Sequence, residues 1–233
     1  MIVGYPGPEG SHSGAASSVL APAGARTVGL PSFSAVVEAA VEAEVTLGVL
    51  PIENSLHGPV AETHDLLYEA PLSIVSEVTL SIVHCLVAKA PIQVSEVRTL
   101  RSNSVAFDQC REFVHASGAR LLPAATTAEA AREVAESDDA TEAAIASAEA
   151  ASRYGLHVIA PDVGDHTAFT RFVGIAPYTL VSRPIPQSTF RYRFDVVVDG
   201  HPLDAGLRQA LAEMREWTRE IRIFGSYAAT GDH

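Results

Sequence analysis

Apolar runs alternate with amphipathic segments along most of the chain. Residues 45–50 form a strand-like apolar run that ends at Pro51, and the apolar side chains of residues 60–67 recur at helical spacing. Each such unit consists of a strand, a polar turn and a helix. This order predicts an α/β fold built on parallel sheets.

The same pattern predicts the remaining elements as far as residue 176. Further strands are predicted at residues 1–5, 72–88, 97–100, 121–125, 143–146, 156–160 and 170–176. Further helices are predicted over residues 11–20, 32–43, 105–116, 128–136 and 148–154, several of them preceded by Ser or Thr as N-caps.

The pattern changes after Pro177. Residues 178–182, 191–198 and 221–224 are strand-like, and residues 203–218 have one apolar helical face. A ββαβ segment of fewer than about 60 residues is too short to bury a core of its own. We therefore expect it to pack on the larger domain or on a second subunit.

Composition narrows the class of protein. The chain has 233 residues, 47% of them hydrophobic and 19% charged, and its net charge of −12 comes with no basic run, which argues against nucleic-acid binding. Only two cysteines occur, Cys85 and Cys110, which favours a reducing compartment. Neither a membrane span nor a signal peptide is indicated. These features predict a globular cytoplasmic protein that binds no membrane.

Two polar motifs stand next to apolar runs. PIENSLHG at 51–58 places Glu53, Asn54 and Ser55 side by side, and TRF at 170–172 opens another apolar run. Taken alone, the first motif is an ordinary cap and the second the start of a strand with a surface arginine. Polar groups at strand ends are also where α/β proteins bind small molecules.

Two further segments place small and polar residues at a predicted helix start. GPEGSHSGAAS at 7–17, with Gly10 and Ser11, is either a plain strand–helix turn or a helix start that binds a carboxylate. RSNSVAFDQC at 101–110 is a helix N-terminus capped by Ser102 or Asn103.

The histidines form no metal-binding pattern, and no Ser-His-Asp order or GxSxG motif is present. Most of the scattered histidines are expected to be hydrogen-bonded within the protein or exposed to solvent. His12 and His166 are the two exceptions, for which a functional role stays open. His166 follows Asp165 just before TRF and is a candidate titrating group.

Taken together, PIENSLHGPVAETHDLL, GPEGSHS, RSNSVAFDQC and TRF resemble the prephenate dehydratase family. The resemblance implies a two-lobed, periplasmic-binding-protein-like catalytic domain over 1–176, with a second lobe at about 80–158 and the active cleft between the lobes. Two departures occur: Asn103 and Ser104 stand where the family usually has His and Pro, and Thr167 and Ala168 stand where an Asn is usual.

The resemblance also implies roles for individual residues. Thr170 would be the catalytic hydroxyl, Arg171 would hold a substrate carboxylate, and Phe172 would form part of the cleft wall. The implied substrate-binding residues are Gly10, Ser11, Glu53, Asn54, Ser55, Ser102 and Asn103. The substrate would be prephenate, with no cofactor and no metal, because formation of the aromatic ring drives the reaction.

Residues 177–233 resemble part of an ACT regulatory domain. SRP at 182–184 and FGSY at 224–227 carry this resemblance, whereas the first strand and helix of an ACT domain have no counterpart. An open sheet edge favours pairing across a two-fold axis. We therefore expect a homodimer whose activity is indifferent to phenylalanine.

Three functions remain open from the sequence. The first is a carbon-oxygen lyase that converts prephenate to phenylpyruvate in phenylalanine biosynthesis. The second is a prephenate decarboxylase that keeps the ring hydroxyl, and the third is a non-catalytic small-molecule binding protein.

Overall fold

Two β-sheets with helices packed against them form two lobes. The computed structural model describes residues 1–177, 201–218 and 220–226. Within these ranges the chain enters the first lobe, crosses to the second after residue 82, and returns to the first before residue 168. The predicted two-lobed α/β fold is confirmed.

The first sheet has six strands in the order β2-β1-β3-β11-β5, with β4 paired to β3. They are β1 Ile2–Pro6, β2 Arg26–Leu30, β3 Leu47–Asn54, β4 Gly58–Pro59, β5 Leu72–Ile82 and β11 Ala168–Pro177. Strands β1, β2 and β3 are parallel, whereas β11 is antiparallel to both of its neighbours.

The second sheet has five strands in the order β10-β6-β9-β7-β8. They are β6 Cys85–Ala88, β7 Thr99–Ser102, β8 Arg120–Pro123, β9 Glu142–Ala146 and β10 His157–Ala160. β7 runs parallel to β8 and β9, while β6 is antiparallel to β9 and β10. Each sheet therefore combines the expected parallel strands with antiparallel ones, because the crossing and returning strands enter each sheet from the opposite direction.

Polar caps define where most helices begin. The helices are α1 His12–Leu20, α2 Phe33–Val41, α3 Ala61–Glu69, α4 Ser104–Gln109, α5 Arg111–Ser117, α6 Thr127–Glu136, α7 Ala148–Tyr154 and α8 Ala205–Trp217. Five of them begin with a side chain that accepts a backbone N–H: Ser11, Ser32, Asn103, Thr126 and Ser147. In the part of the chain that the structure describes, no helix has the length and apolar character of a membrane span.

Tertiary structure divides two elements that the sequence pattern joins. The predicted strand at 72–88 is interrupted at Val83 and His84, where the chain leaves the first lobe. The predicted helix at 105–116 breaks at Cys110, whose φ of −122° and ψ of 34° are not helical. Strand β2 is an element that the sequence pattern does not predict.

The C-terminal residues contact the first lobe at its edge strand. The carbonyl of Phe224 accepts a hydrogen bond of 2.8 Å from the N–H of Ile74 in β5. The guanidinium of Arg222 donates to the carbonyls of Tyr68 and Ala70. The strand predicted at 221–224 does not form in the structure, since this contact has a single backbone hydrogen bond. The strands predicted at 178–182 and 191–198 lie outside the described residues.

The two lobes touch through the glycine-rich loop that precedes α1. Ser147, at the start of α7, donates its hydroxyl to the carbonyl of Gly10 over 3.1 Å, and Tyr154 donates to the carbonyl of Glu9 over 2.9 Å. Gly10 has a φ of +82°, and a Cβ atom there would lie 2.9 Å from Cα of Ala150. Glycine at this position thus permits both the turn and the close approach of the lobes.

We predict that Gly10→Ala destabilises the protein more than Gly24→Ala. Gly24 has a φ of +80° and open space around its Cβ position, so its substitution carries only the left-handed backbone penalty of about 1–2 kcal/mol. Gly10→Ala adds a clash with backbone, a kind of overpacking that costs about 1–3 kcal/mol. Urea unfolding of both variants measures the difference, and equal midpoints would show that the lobes do not meet closely at Gly10.

Candidate active site

Strands β3 and β11 bring two of the predicted residues into direct contact. Thr170 lies opposite Asn54 in the antiparallel register, and Nδ2 of Asn54 donates to Oγ1 of Thr170 over 2.9 Å. The two residues are 116 positions apart in the chain, and the bond lies where the polypeptide passes between the lobes. The prediction that Asn54 and Thr170 share a site is supported by this contact.

The orientation of the Asn54 amide follows from its other hydrogen bonds. Its Oδ1 accepts from the backbone N–H groups of Leu56 and His57 at 3.0 and 3.1 Å. The NH2 side therefore faces Thr170, whose oxygen acts as an acceptor in this bond. Because that lone pair is occupied, the hydroxyl proton of Thr170 is directed to a different partner. Thr170 is 8% exposed, so only a small part of its side chain reaches solvent.

Ser55 closes the end of the strand pair next to Thr170. Its N–H donates to the carbonyl of Phe169 at 2.9 Å, and its Oγ accepts from the N–H of Phe169 at 3.0 Å. The N–H and the hydroxyl of Ser55 thus both bind the backbone of Phe169, the residue before Thr170. Ser55 therefore helps to position the start of β11.

Glu53 and Arg171 lie on the opposite face of the sheet from Asn54 and Thr170. Successive strand residues point to opposite faces, and Glu53 pairs with Arg171 in the register just as Asn54 pairs with Thr170. Their charged groups are 3.5 Å apart, with side chains 47% and 37% exposed. The roles implied for them do not fit this placement, because the cross-strand register turns both side chains away from the Thr170 hydroxyl.

Phe172 belongs to the core rather than to the cleft wall. It is 2% exposed and packs in a cluster with Val3, Ala16 and Val49. Its position two residues after Thr170 places it on the same sheet face, beneath the site. The structure therefore assigns it support of β11 from the core, which differs from the expected wall contact.

The remaining predicted residues have structural partners. Ser102 is fully buried and donates to the carbonyl of Ile145 over 2.8 Å, while Asn103 caps α4 by accepting from the N–H of Ala106. Ser11 caps α1 by accepting from the N–H of Gly14 at 3.1 Å. The capping interpretation of these segments therefore accounts for Asn103 and Ser11.

Asp165 and His166 have different environments. The Asp165 carboxylate accepts hydrogen bonds from the N–H groups of Arg111 and Glu112, so it caps α5 from outside that helix. His166 is exposed on the same connection. Asp165 is thus a structural residue of the second lobe.

A histidine pair that the sequence did not reveal lies at the lobe junction. The rings of His12 and His84 are perpendicular with centroids 6.2 Å apart, and Nε2 of His84 lies 2.7 Å from Oε1 of Gln109. Burial, and secondarily the neighbouring His84, lowers the pKa of His12 to about 4. Burial also lowers the pKa of His84, although the Gln109 bond and Asp162 oppose this. Both rings are therefore neutral at physiological pH.

Two open cavities flank the glycine-rich loop. One of about 380 Å³ lies between Gly7, Gly29 and Thr126, and one of about 350 Å³ lies between Gly10 and Arg153. Neither is lined by Asn54 or Thr170. Both cavities lie beside the contact between the lobes. Because neither contains Asn54 or Thr170, the candidate site is defined by hydrogen-bond geometry and not by cavity volume.

The fold is a two-lobed α/β structure in which Asn54 and Thr170 are hydrogen-bonded across neighbouring strands of the first lobe. The family model for prephenate dehydratase matches residues 3–179. The chain therefore belongs to the prephenate dehydratase family.

Individual relatives resemble the chain over most of its length. The prephenate dehydratase of Mycobacterium marinum is 33% identical over 224 residues, which cover 91% of this chain and 69% of that protein. The structure of prephenate dehydratase from Arthrobacter aurescens in complex with L-Phe has a TM-score of 0.80 at 25% identity, covering 98% of this chain and 90% of that one. A structure described as GqqA, a novel type of quorum quenching acylase, has a TM-score of 0.82 at 26% identity, covering 99% and 98%. The chain spans about half the length of several plant dehydratases that it also matches.

We predict that His12→Phe makes stability less sensitive to mild acid. The unfolded chain binds a proton at this histidine near the ordinary histidine pKa of 6.5, whereas the native protein does so only at a pKa of about 4. The unfolded state therefore gains protons first, and stability falls as pH drops from about 6.5 towards about 4. Urea unfolding at several pH values gives the free energy of unfolding as a function of pH, and this dependence should be weaker for His12→Phe than for the unmodified protein. His157→Phe, on exposed β10, is the control. Identical slopes for His12→Phe and the unmodified protein would contradict the assigned shift.

Proposed function

We propose that the protein converts prephenate to phenylpyruvate with loss of CO2 and water, a step in phenylalanine biosynthesis. Family membership supports the reaction class, and the bond between Asn54 and Thr170 is the observation that carries the proposal. We also propose a cytoplasmic location, which the two buried and unpaired cysteines favour.

The reaction requires one bond to break at each end of the substrate ring. CO2 leaves from the ring carboxylate, the released electron pair moves through the ring, and the carbon–oxygen bond to the hydroxyl breaks as the ring becomes aromatic. The departing oxygen gains negative charge, so a hydrogen-bond donor at that position lowers the barrier. Thr170 can supply that donor, because the bond from Asn54 uses one of the two lone pairs on its oxygen and leaves its proton to donate elsewhere.

The substrate carboxylates need a positive partner on the Thr170 face of the sheet. Arg171 lies on the other face and is paired with Glu53. Helix α1 begins on the correct face, because Ala16 of α1 packs against the same core cluster as Phe172. The positive end of its dipole is thus the better candidate for holding a carboxylate.

One assay separates the alternatives. The protein is incubated with prephenate, and ultraviolet absorbance and product mass are followed. Phenylpyruvate supports the dehydratase, a non-aromatic product that keeps the hydroxyl supports the decarboxylase, and no turnover favours a binding protein. The absence of the usual Asn at Thr167 and Ala168 is the observation that keeps the decarboxylase in view.

Amide hydrolysis is a second candidate function. The similarity to the quorum quenching acylase covers nearly the full length of both chains, including the short C-terminal region. Release of a carboxylic acid from an N-acyl amide, measured by mass spectrometry, would support this activity. If Thr170→Val left that release intact while abolishing turnover of prephenate, the two activities would use different groups.

We predict that Thr170→Val lowers turnover of prephenate by about 10²–10⁴-fold, the range for loss of a positioned proton donor. Valine keeps the shape and the strand preference, so the fold is retained. Thr63→Val is the matched control, because Thr63 is fully buried and donates to the carbonyl of Pro51 over 2.6 Å. The control should lose stability and keep its rate. A Thr170→Val enzyme with near-normal turnover would refute the assignment.

We further propose a homodimer that uses the C-terminal segment. Leu207, Leu211 and Met214 share one face of α8, and none of them is buried in the single chain. A second copy of the chain would cover this apolar face.

We predict that Leu211→Glu shifts the protein towards the monomer in analytical ultracentrifugation, whereas Gln209→Glu, on the other side of α8, does not. We also expect no saturable phenylalanine binding by calorimetry, because the ACT pattern in residues 177–233 lacks its first strand and helix. A dimer that persists in Leu211→Glu would count against the proposed dimer contact. Measurable phenylalanine binding would count against the proposed indifference to phenylalanine.

A further inference from the structure

Three neutral polar side chains form a cluster at the lobe junction. His12 begins α1 in the first lobe, His84 lies in the segment that crosses between lobes, and Gln109 ends α4 in the second lobe. His84 and Gln109 are 4% and 7% exposed, and their side chains are 2.7 Å apart. The cluster therefore links both lobes, with His84 and Gln109 nearly closed to solvent and His12 partly exposed.

The hydrogen bond fixes the tautomer of His84. A carboxamide oxygen only accepts, so Nε2 of His84 carries the proton and Nδ1 presents a lone pair. Within the described residues, Nδ1 of His84 and Nε2 of Gln109 have no hydrogen-bond partner although both atoms are buried. Unpaired buried polar groups are rare and costly, so a hydrogen-bonding molecule beside these two atoms would be favourable.

The topology places His12 level with Thr170. β11 is antiparallel to β3, which is parallel to β1, and α1 returns antiparallel to β1, so α1 and β11 run in the same direction. Ala16 of α1 and Phe172 of β11 pack in one cluster. His12 is four residues before Ala16, a rise of about 6 Å, and Thr170 is two strand residues before Phe172, about 6.8 Å. Both side chains thus stand at the same edge of the first lobe.

We propose that His12 is a second substrate-contacting residue, which donates a hydrogen bond from its neutral ring to the same departing oxygen that Thr170 contacts. His84 and Gln109 act as positioning residues that hold the ring of His12. This role rests on the proposed dehydration of prephenate. This role is compatible with an uncharged histidine, because a neutral imidazole ring still has one N–H group that can donate to the departing oxygen.

Kinetics with two His12 variants test the role. His12→Phe keeps an aromatic ring beside His84 and removes the donor, and we expect kcat to fall by about 100-fold with KM changed far less. His12→Gln restores a neutral donor and should recover part of kcat. His157→Phe, on exposed β10, should match the unmodified enzyme. A His12→Phe enzyme with kcat within about twofold of normal, or no recovery with His12→Gln, would overturn the proposal.

A binding measurement separates this proposal from the proposed function. The imidazole resonances of His12, assigned by their loss in His12→Phe, should shift when prephenate is added to the unmodified protein. An unchanged His12 signal at saturating prephenate would overturn the contact even if the enzyme were active. A shifted signal without any turnover would keep the contact and overturn the proposed reaction.

Discussion

The site depends on the insertion of β11 between β3 and β5. This strand returns from the second lobe and pairs antiparallel with both neighbours, which sets Thr170 beside Asn54. A shift of one residue in this register would turn Thr170 to the opposite face and bring Arg171 to the cleft. The long apolar pairing that follows, with Phe172 and Val173 buried, fixes the register and therefore the chemistry.

Orientation within the site comes from backbone groups rather than from charge. The turn after β3 supplies two N–H donors that fix the Asn54 amide, and the amide in turn fixes the hydroxyl of Thr170. Burial lowers the pKa of each histidine in the neighbouring pair, which keeps both rings neutral. In the proposed reaction, such preorganised neutral donors would need little reorganisation when negative charge develops on the departing oxygen.

The close contact of the lobes at Gly10 connects this site to the second lobe. Ser147 and Tyr154 bind the glycine-rich loop through its carbonyls, and the crossing segment carries His84 into contact with Gln109. Residues of the second lobe thus contact the first lobe at the loop before α1 and at the crossing segment. Ser102 and Asn103 were expected in the cleft, yet they support the sheet and helix of their own lobe.

Apolar periodicity and capping residues act over short distances, so the sequence by itself indicated an α/β class and most helices. The PIENS, GPEGSHS and TRF motifs indicated the family and, through that resemblance, the two lobes. It also indicated Asn54 and Thr170 through motifs at strand ends. Only the tertiary structure decided which faces Glu53, Arg171 and Phe172 occupy, since facing depends on register between strands far apart in the chain. The pairing of His12 with His84 was likewise hidden, because His84 lies within an apolar run and meets its partners only after the chain crosses between the lobes.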